Sequence, residues 1–272
     1  MSPLKAYLTG HAVDGQVGAG CQMDASLHFD LTFAEVETAI LELGLCPARY
    51  QRNRQTISCA GQLTLLRSKV VVIGCGGLGG YIIEELARLG VGRIDAIDPD
   101  VFEEHNLNRQ LLATFANQGE YKVSAAARRV AELNPAVQLV PHRTAFSAAN
   151  GRELLTGATV VVDALDNMTT RLELAALCRE LGLPLVHGAI AGWYGQLATQ
   201  LPGEDISVFL SGPGAAGKGV ETRLGNPAFT PAVVASLQAA ETCKVILGQG
   251  TSPAGRMLVL NLLDMEFEEI RL

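Results

Sequence analysis

Val70-Val-Val-Ile73-Gly74-Cys-Gly76-Gly77-Leu-Gly79 is the stretch on which the reading of this 272-residue chain turns. Four consecutive β-branched residues stop at a glycine, the mark of a strand buried on both faces. The next residues, Gly77–Leu89, place Leu78, Ile82, Leu86 and Leu89 on one helical face and end at Gly90. That predicts a helix beginning inside the glycine run. The run has the form GxGxxG between a strand and a helix. Its glycines allow a tight turn and let the N–H groups at the helix start, with their positive dipole end, approach a phosphate. Asp98 comes 19 residues after Gly79, at the end of a second apolar run, Ile94–Ile97. A carboxylate there can accept hydrogen bonds from both hydroxyls of a ribose. Up to this point NAD and ATP fit equally well.

Outward from this unit, strands and helices alternate. Further helices are expected over Lys122–Leu133, closed by Asn134-Pro135, and from about Asn167 to Leu181. A long one, with Thr230 as N-cap and Pro231 in its first turn, ends at Gly248. Further strands are expected at Val137–Val140, Thr159–Val162, Pro184–Val186, Gln196–Leu201, Met257–Leu262 and Phe267–Ile270. The predicted fold is α/β and Rossmann-like. It has a mostly parallel sheet, helices on both faces and antiparallel strands at the C-terminal edge. This domain is assigned to residues 49–272, and residues 1–48 to an N-terminal arm and helix. In the latter, Thr32-Phe-Ala-Glu35 forms a capping box, with Leu31 and Val36 as a hydrophobic staple, for a helix through about Leu43. Residues 1–30 have weak periodicity and several glycines, and read as a loose arm.

Composition narrows the function. With 48% apolar and 18% charged residues the chain can bury a sizeable core, which excludes a disordered or fibrous protein. A net charge of −7 gives no basic stripe for nucleic acid. No stretch approaches the ~18 apolar residues of a membrane span. The start lacks the regions of a signal peptide, so a cytoplasmic location is expected. The six cysteines, at 21, 46, 59, 75, 178 and 243, include no CxxC pair, so no structural zinc is expected.

The stretch from Asp98 to Gln110 carries Asp100, Asn106, Asn108 and Arg109, more polar chemistry than a connector needs. Lys122 follows at a helix start, where the dipole disfavours a cation. Hydride transfer has no use for an extra Arg and Lys here. A triphosphate does, since Arg can fork onto its oxygens and Lys can bind as a point charge. Asp163-Ala-Leu165-Asp166-Asn167 closes another strand, at the sheet edge where such folds hold ligands. One or both carboxylates could hold Mg²⁺, and Asn167 or one carboxylate could cap the following helix.

Taken together, these residues resemble the ThiF/MoeB/HesA family, bacterial relatives of ubiquitin-activating enzymes. The matching pieces are Arg54-Gln55, Gly74 to Gly79 with Gly76 and Gly77, Asp98-Pro-Asp100, Asn106-Leu-Asn-Arg109-Gln110, Lys122, Asp163 to Asn167, Gly188 and Gly195-Gln196. The resemblance implies binding of ATP and Mg²⁺ and adenylation of the C-terminal Gly-Gly carboxylate of a ubiquitin-like sulfur-carrier protein, in thiamine or molybdopterin/tungstopterin biosynthesis. It implies that Asp98 holds the ribose, and that Asn106, Arg109, Gln110 and Lys122 grip the phosphates. Asp166 would bind Mg²⁺ and orient the α-phosphate, with Asp100, Leu165 and Asn167 lining the nucleotide site. Arg54 would reach into the other subunit of a homodimer, and neighbouring Arg52 could be confused with it.

The chain also departs from relatives that carry two CxxC pairs, and from those with a Cys before the last long helix. Asp205 to Phe229 contains no Cys, and Cys243 sits mid-helix like a core thiol, so adenylation without a covalent second step is expected. Residues 211–219 are glycine-rich and read as a lid or clamp. Other readings are a family member that activates a small substrate or modifies tRNA, an NAD-dependent oxidoreductase, and a silent binding module. The oxidoreductase would leave Arg54, Arg109 and Lys122 unused, and the retained polar set argues against a silent module.

Overall fold

The computed structural model describes residues 2–210, 224–251 and 255–271. The chain begins with three helices, α1 (Pro3–Gly10), α2 (Ala19–Phe29) and α3 (Phe33–Glu42). Ser2 caps α1, with Pro3 at its first position. A two-residue strand, β1 (Gln16–Val17), pairs in parallel with β2 (Cys46–Pro47). Leu8, Val17, Ala25, Val36 and Ile40 make the small core of this unit. Residues 2–30 therefore carry two packed helices and a short strand rather than a loose arm. The pattern was weak because α1 buries only Leu8, and α2 only Gln22 and Ala25. The capping box does form: Thr32 Oγ1 accepts from Glu35 N, and Glu35 accepts from Thr32 N at 2.7 Å.

A buried polar network ties the helical unit to the α/β domain. Glu37 of α3 is fully buried, lies 3.2 Å from Arg49 Nη1, and accepts from the Tyr50 hydroxyl. Asn134 donates from its amide to the Tyr50 hydroxyl and to the Ala87 carbonyl. Burial pushes the Glu37 carboxyl up to about 6, although Arg49 and Tyr50 pull the other way.

Helix α4 (Cys59–Leu66) leads into an eight-stranded sheet. Strands β3 (Lys69–Ile73), β4 (Arg93–Ile97), β5 (Gln138–His142), β6 (Val160–Asp163) and β7 (Leu185–Ala191) are parallel. Strands β8 (Tyr194–Gln200), β9 (Arg256–Asn261) and β10 (Glu266–Arg271) continue antiparallel, giving the order β5-β4-β3-β6-β7-β8-β9-β10. Helices α5 (Gly77–Leu89), α6 (Lys122–Leu133), α7 (Ala148–Leu154) and α8 (Met168–Leu181) are the crossovers. A short α9 (Ser207–Leu210) and a long α10 (Phe229–Leu247) come between β8 and β9. Val70 and Val72 pack toward α5, α6 and α10, and Val71 and Ile73 toward α7 and α8. This is why β3 has no polar face. The strand order reverses at β3, which has β4 on one side and β6 on the other, and the C-terminal ends there open a crevice.

Two local expectations change. Strand β7 runs on to Ala191, past the expected end at Val186, through Gly188. A Cβ at Gly188 would lie 2.3 Å from the Gln238 amide of α10, so this glycine lets helix and strand approach and does not end the strand. Thr230 does not cap α10, which already begins at Phe229. Its buried hydroxyl donates to Gly192 O at 2.6 Å, a tertiary bond that replaces the cap. The proposed lid at residues 211–219 lies outside the described residues.

Candidate active site

The pairing of β3 with β6 sets the glycine loop beside the turn that follows Asp163. The glycines divide by purpose. Gly74 has φ +100°, and a Cβ there would lie 2.6 Å from Ala164 O. A Cβ at Gly79 would lie 1.9 Å from Gly74 O. Both are required by the fold. At Gly76 and Gly77 a Cβ would meet no atom closer than 3.5 Å. Packing does not demand glycine at these two positions, which open α5 with no side-chain cap. The first N–H groups of α5 are thus left for an external acceptor.

Asp98 ends β4 and is buried. Its Oδ2 accepts from Cys75 N at 2.7 Å and its Oδ1 from Asp100 N at 2.8 Å, which fastens it to the glycine loop. Burial pushes its carboxyl above the usual range, and Lys122 pulls it back. A carboxylate has about four acceptor positions, so capacity remains for ribose hydroxyls.

Lys122 is 7% exposed, and its ammonium lies 2.9 Å from Asp100. The helix dipole opposes that cation, and Asp100 offsets the opposition. Asn106 is buried and accepts from Glu103 N, closing a short 3₁₀ turn. Gln110 is buried beside Gly76, and its Oε1 has no partner among the described residues. Arg109 lays its stem against Gly77 and donates to His105 O and Asn108 Oδ1. A cavity of about 410 Å³ opens between Asp100, Glu103, Asn106, Tyr121 and Lys122. The glycine loop does not line it.

The two aspartates after β6 separate. Asp163 is 1% exposed; it accepts from Leu165 N at 2.9 Å and lies 2.6 Å from His187 Nδ1. Asp166 is exposed and has no hydrogen bond among the described residues. Asn167 caps α8, accepting from Thr170 N. So Asp166 is the carboxylate available to a cation, and the Asp163 side chain is enclosed. No group of three metal-binding side chains occurs among the described residues. A single carboxylate suits Mg²⁺, which keeps water and phosphate oxygens as its other ligands.

Arg54 stands apart from this cluster. It is exposed, and its guanidinium lies against Gly15, where a Cβ would be 3.5 Å from Nη1. Within one chain it does not join the group around the glycine loop, Arg109 and Lys122. Arg52 is also exposed.

Sequence reasoning passed over Arg171 and His187, which surround Asp163. The signal for Arg171 was present, since a cation four residues past the Asn167 cap is misplaced by the argument applied to Lys122. His187 has no local signal, because only strand pairing sets it opposite Asp163. The thiols behave as core groups. Cys75 is fully buried, and burial raises its pKa well above the ordinary range. Burial pushes Cys243 up to about 11 and Cys178 to about 12.

The ThiF family model matches residues 50–272. The SAMP-activating enzyme E1 of Haloferax volcanii is 38% identical over 226 residues, covering 82% of this chain and 84% of the relative. The sulfur carrier protein adenylyltransferase of Thermus thermophilus is 38% identical over 234 residues, covering 82% and 86%. Among solved structures, E. coli MccB with ATP superposes with a TM-score of 0.71 at 20% identity, over 88% of this chain and 78% of that one. That likeness concerns the fold. With the family model spanning the sheet and its glycine loop, and adenylyltransferases among relatives of this similarity, the chain belongs to the ThiF family and is a nucleotidyltransferase.

Proposed function

We propose that this enzyme uses ATP to adenylate the C-terminal Gly-Gly carboxylate of a ubiquitin-like sulfur-carrier protein, releasing pyrophosphate, in thiamine or molybdopterin biosynthesis. The observation that carries this reading is the pairing of two glycines that packing does not need, Gly76 and Gly77, with the cations Arg109 and Lys122. The names of the relatives support the choice of carrier.

In this reading Asp98 holds the ribose. The α5 N-terminus, Asn106, Arg109, Gln110 and Lys122 hold the phosphates. Lys122 leaves Asp100 for a phosphate oxygen when ATP binds. Asp166 would hold Mg²⁺, which would supply charge neutralisation at the phosphates. The carrier carboxylate then attacks the α-phosphorus in line, and the bond to the leaving pyrophosphate breaks. The chain contributes no nucleophile. It brings together two anions that repel each other and places positive charge where negative charge accumulates. The active protein is a cytoplasmic homodimer, with Arg54 completing the neighbouring subunit's site.

ATP–pyrophosphate exchange tests the reading, measured with a ThiS-type and a MoaD-type carrier in turn. Exchange that depends on one carrier, and is lost when its final glycine is removed, is the expected result. Absence of exchange with both would favour the reading in which the enzyme activates a small substrate or modifies tRNA.

A further inference from the structure

Asp163 sits at the centre of a buried polar cluster behind Asp166. Parallel pairing of β6 with β7 sets it opposite His187, and neither is more than 1% exposed. His187 Nδ1 lies 2.6 Å from Asp163 Oδ2, so with an ionised aspartate that nitrogen donates. The other ring nitrogen, Nε2, is buried without a partner among the described residues. Arg171, 8% exposed, brings Nε within 3.7 Å of the same carboxylate oxygen. Its Nη2 donates to Leu165 O and lies 3.5 Å from Gly188 O. Asp163 Oδ1 meanwhile accepts from Leu165 N.

These bonds converge on one turn. Ala164 N donates to Ile73 O, and Ala164 O abuts Gly74. Both polar backbone groups of Leu165 are held, one by Asp163 and one by Arg171. The next residue is Asp166, whose own side chain is free of hydrogen bonds among the described residues. An apolar pair at 163 and 187 would fill the same space without leaving an imidazole nitrogen unmet. The cluster also keeps the buried Asp163 charge neutralised by Arg171, close to where two anionic substrates must meet.

We infer that His187, Asp163 and Arg171 form a buried brace that fixes the aim of Asp166, making His187 and Arg171 positioning residues for adenylyl transfer. The inference rests on the role proposed above for Asp166. A brace of this kind acts on the transition state more than on ATP binding, which the glycine loop, Arg109 and Lys122 provide.

The test is ATP–pyrophosphate exchange on the full chain, with the ThiS-type and MoaD-type carriers. His187→Leu is expected to lower kcat ten-fold or more and to leave the KM for ATP within two-fold. His187→Asn, whose amide nitrogen can take the place of Nδ1 as donor, is expected to recover kcat to within three-fold of wild type. A folded His187→Leu with wild-type kcat overturns the inference, as does His187→Asn failing equally at unchanged thermal stability. Should His187→Leu not fold, Arg171→Lys decides. It keeps the charge but lacks the second arm that reaches Leu165 O, so the same selective loss of kcat is expected, and unchanged kcat overturns the brace. Asp166→Asn is measured alongside. If it keeps full exchange, or if the wild type exchanges with neither carrier, the reading of the site fails and the brace falls with it.

Discussion

Gly76 and Gly79 stand three residues apart in one loop and are glycine for different reasons. At Gly79 a Cβ would lie 1.9 Å from backbone, so the fold itself excludes any side chain. Gly79→Ala is expected to destabilise the protein by at least about 1–3 kcal/mol, read from urea denaturation. At Gly76 the nearest protein atom to a Cβ would be the Gln110 amide at 3.6 Å. Gly76→Ala should therefore keep wild-type stability and raise the KM for ATP by about ten-fold, as expected for loss of one charge-assisted phosphate bond. Equal stability losses in the two variants would contradict the division. Cys243 gives a second test at this scale. With its thiol pushed up to about 11 by burial, only about one molecule in 10⁴ carries a thiolate at pH 7. Cys243→Ala should keep pyrophosphate exchange within about two-fold of wild type. A collapse of activity in a stable variant would point to thiol chemistry.

At the scale of elements, the contact between α3 and the α/β domain places a carboxyl where burial disfavours its charge. Glu37 titrates at about 6 in the fold, against an ordinary 4.5. A raised carboxyl pKa means the protonated form suits the folded state better. Its contribution to stability is complete below pH 4.5 and is lost as pH rises through 6. The difference of about 1.5 pH units corresponds to about 2 kcal/mol. Glu37→Gln cannot titrate, so between pH 4.5 and 7.5 it should gain about 2 kcal/mol relative to wild type in urea unfolding. Parallel pH profiles for the two proteins would rule this out. The same element pair explains Gly90, since a Cβ there would lie 2.4 Å from the Tyr50 hydroxyl of the network.

For the whole molecule, Arg54 and Lys122 test whether one chain makes a complete site. Arg54 lies against Gly15, on the N-terminal unit, and Lys122 pairs with Asp100 at the sheet ends. If Arg54 serves the partner's site, Arg54→Ala and Lys122→Ala should each lose roughly 10²–10³ in exchange rate. Mixing the two inactive variants should restore about a quarter of wild-type activity, because about half the dimers carry one intact site of two. No recovery, with subunit exchange shown by independent labelling, would reject the assignment in trans and leave Lys122 in place. Packing between α10 and the sheet closes the fold near this site. Gly188 and Gly195 each allow an α10 side chain, Gln238 or Val234, to come within 2.4 Å of where a Cβ would be.

The amino-acid sequence by itself determined the α/β class, because runs such as Val70–Ile73 can be buried only between two layers of helices. It also determined the glycine loop between a strand and a helix and the place of Asp98 at the end of the next strand, since these follow from the local geometry of a strand, a turn and a helix. Tertiary structure alone decided what depends on distant pairing. It packed α1 and α2 through so few buried residues that no periodicity announced them. It turned Thr230 from a cap into a partner of Gly192. It also separated Asp163 from Asp166, two carboxylates three residues apart between which only the family resemblance, and no local pattern, had chosen. Strand pairing enclosed the first with His187 and Arg171, and left the second exposed beside the glycine loop. Local sequence sets the backbone periods of 2 and 3.6, and long-range contact decides which polar group finds a partner.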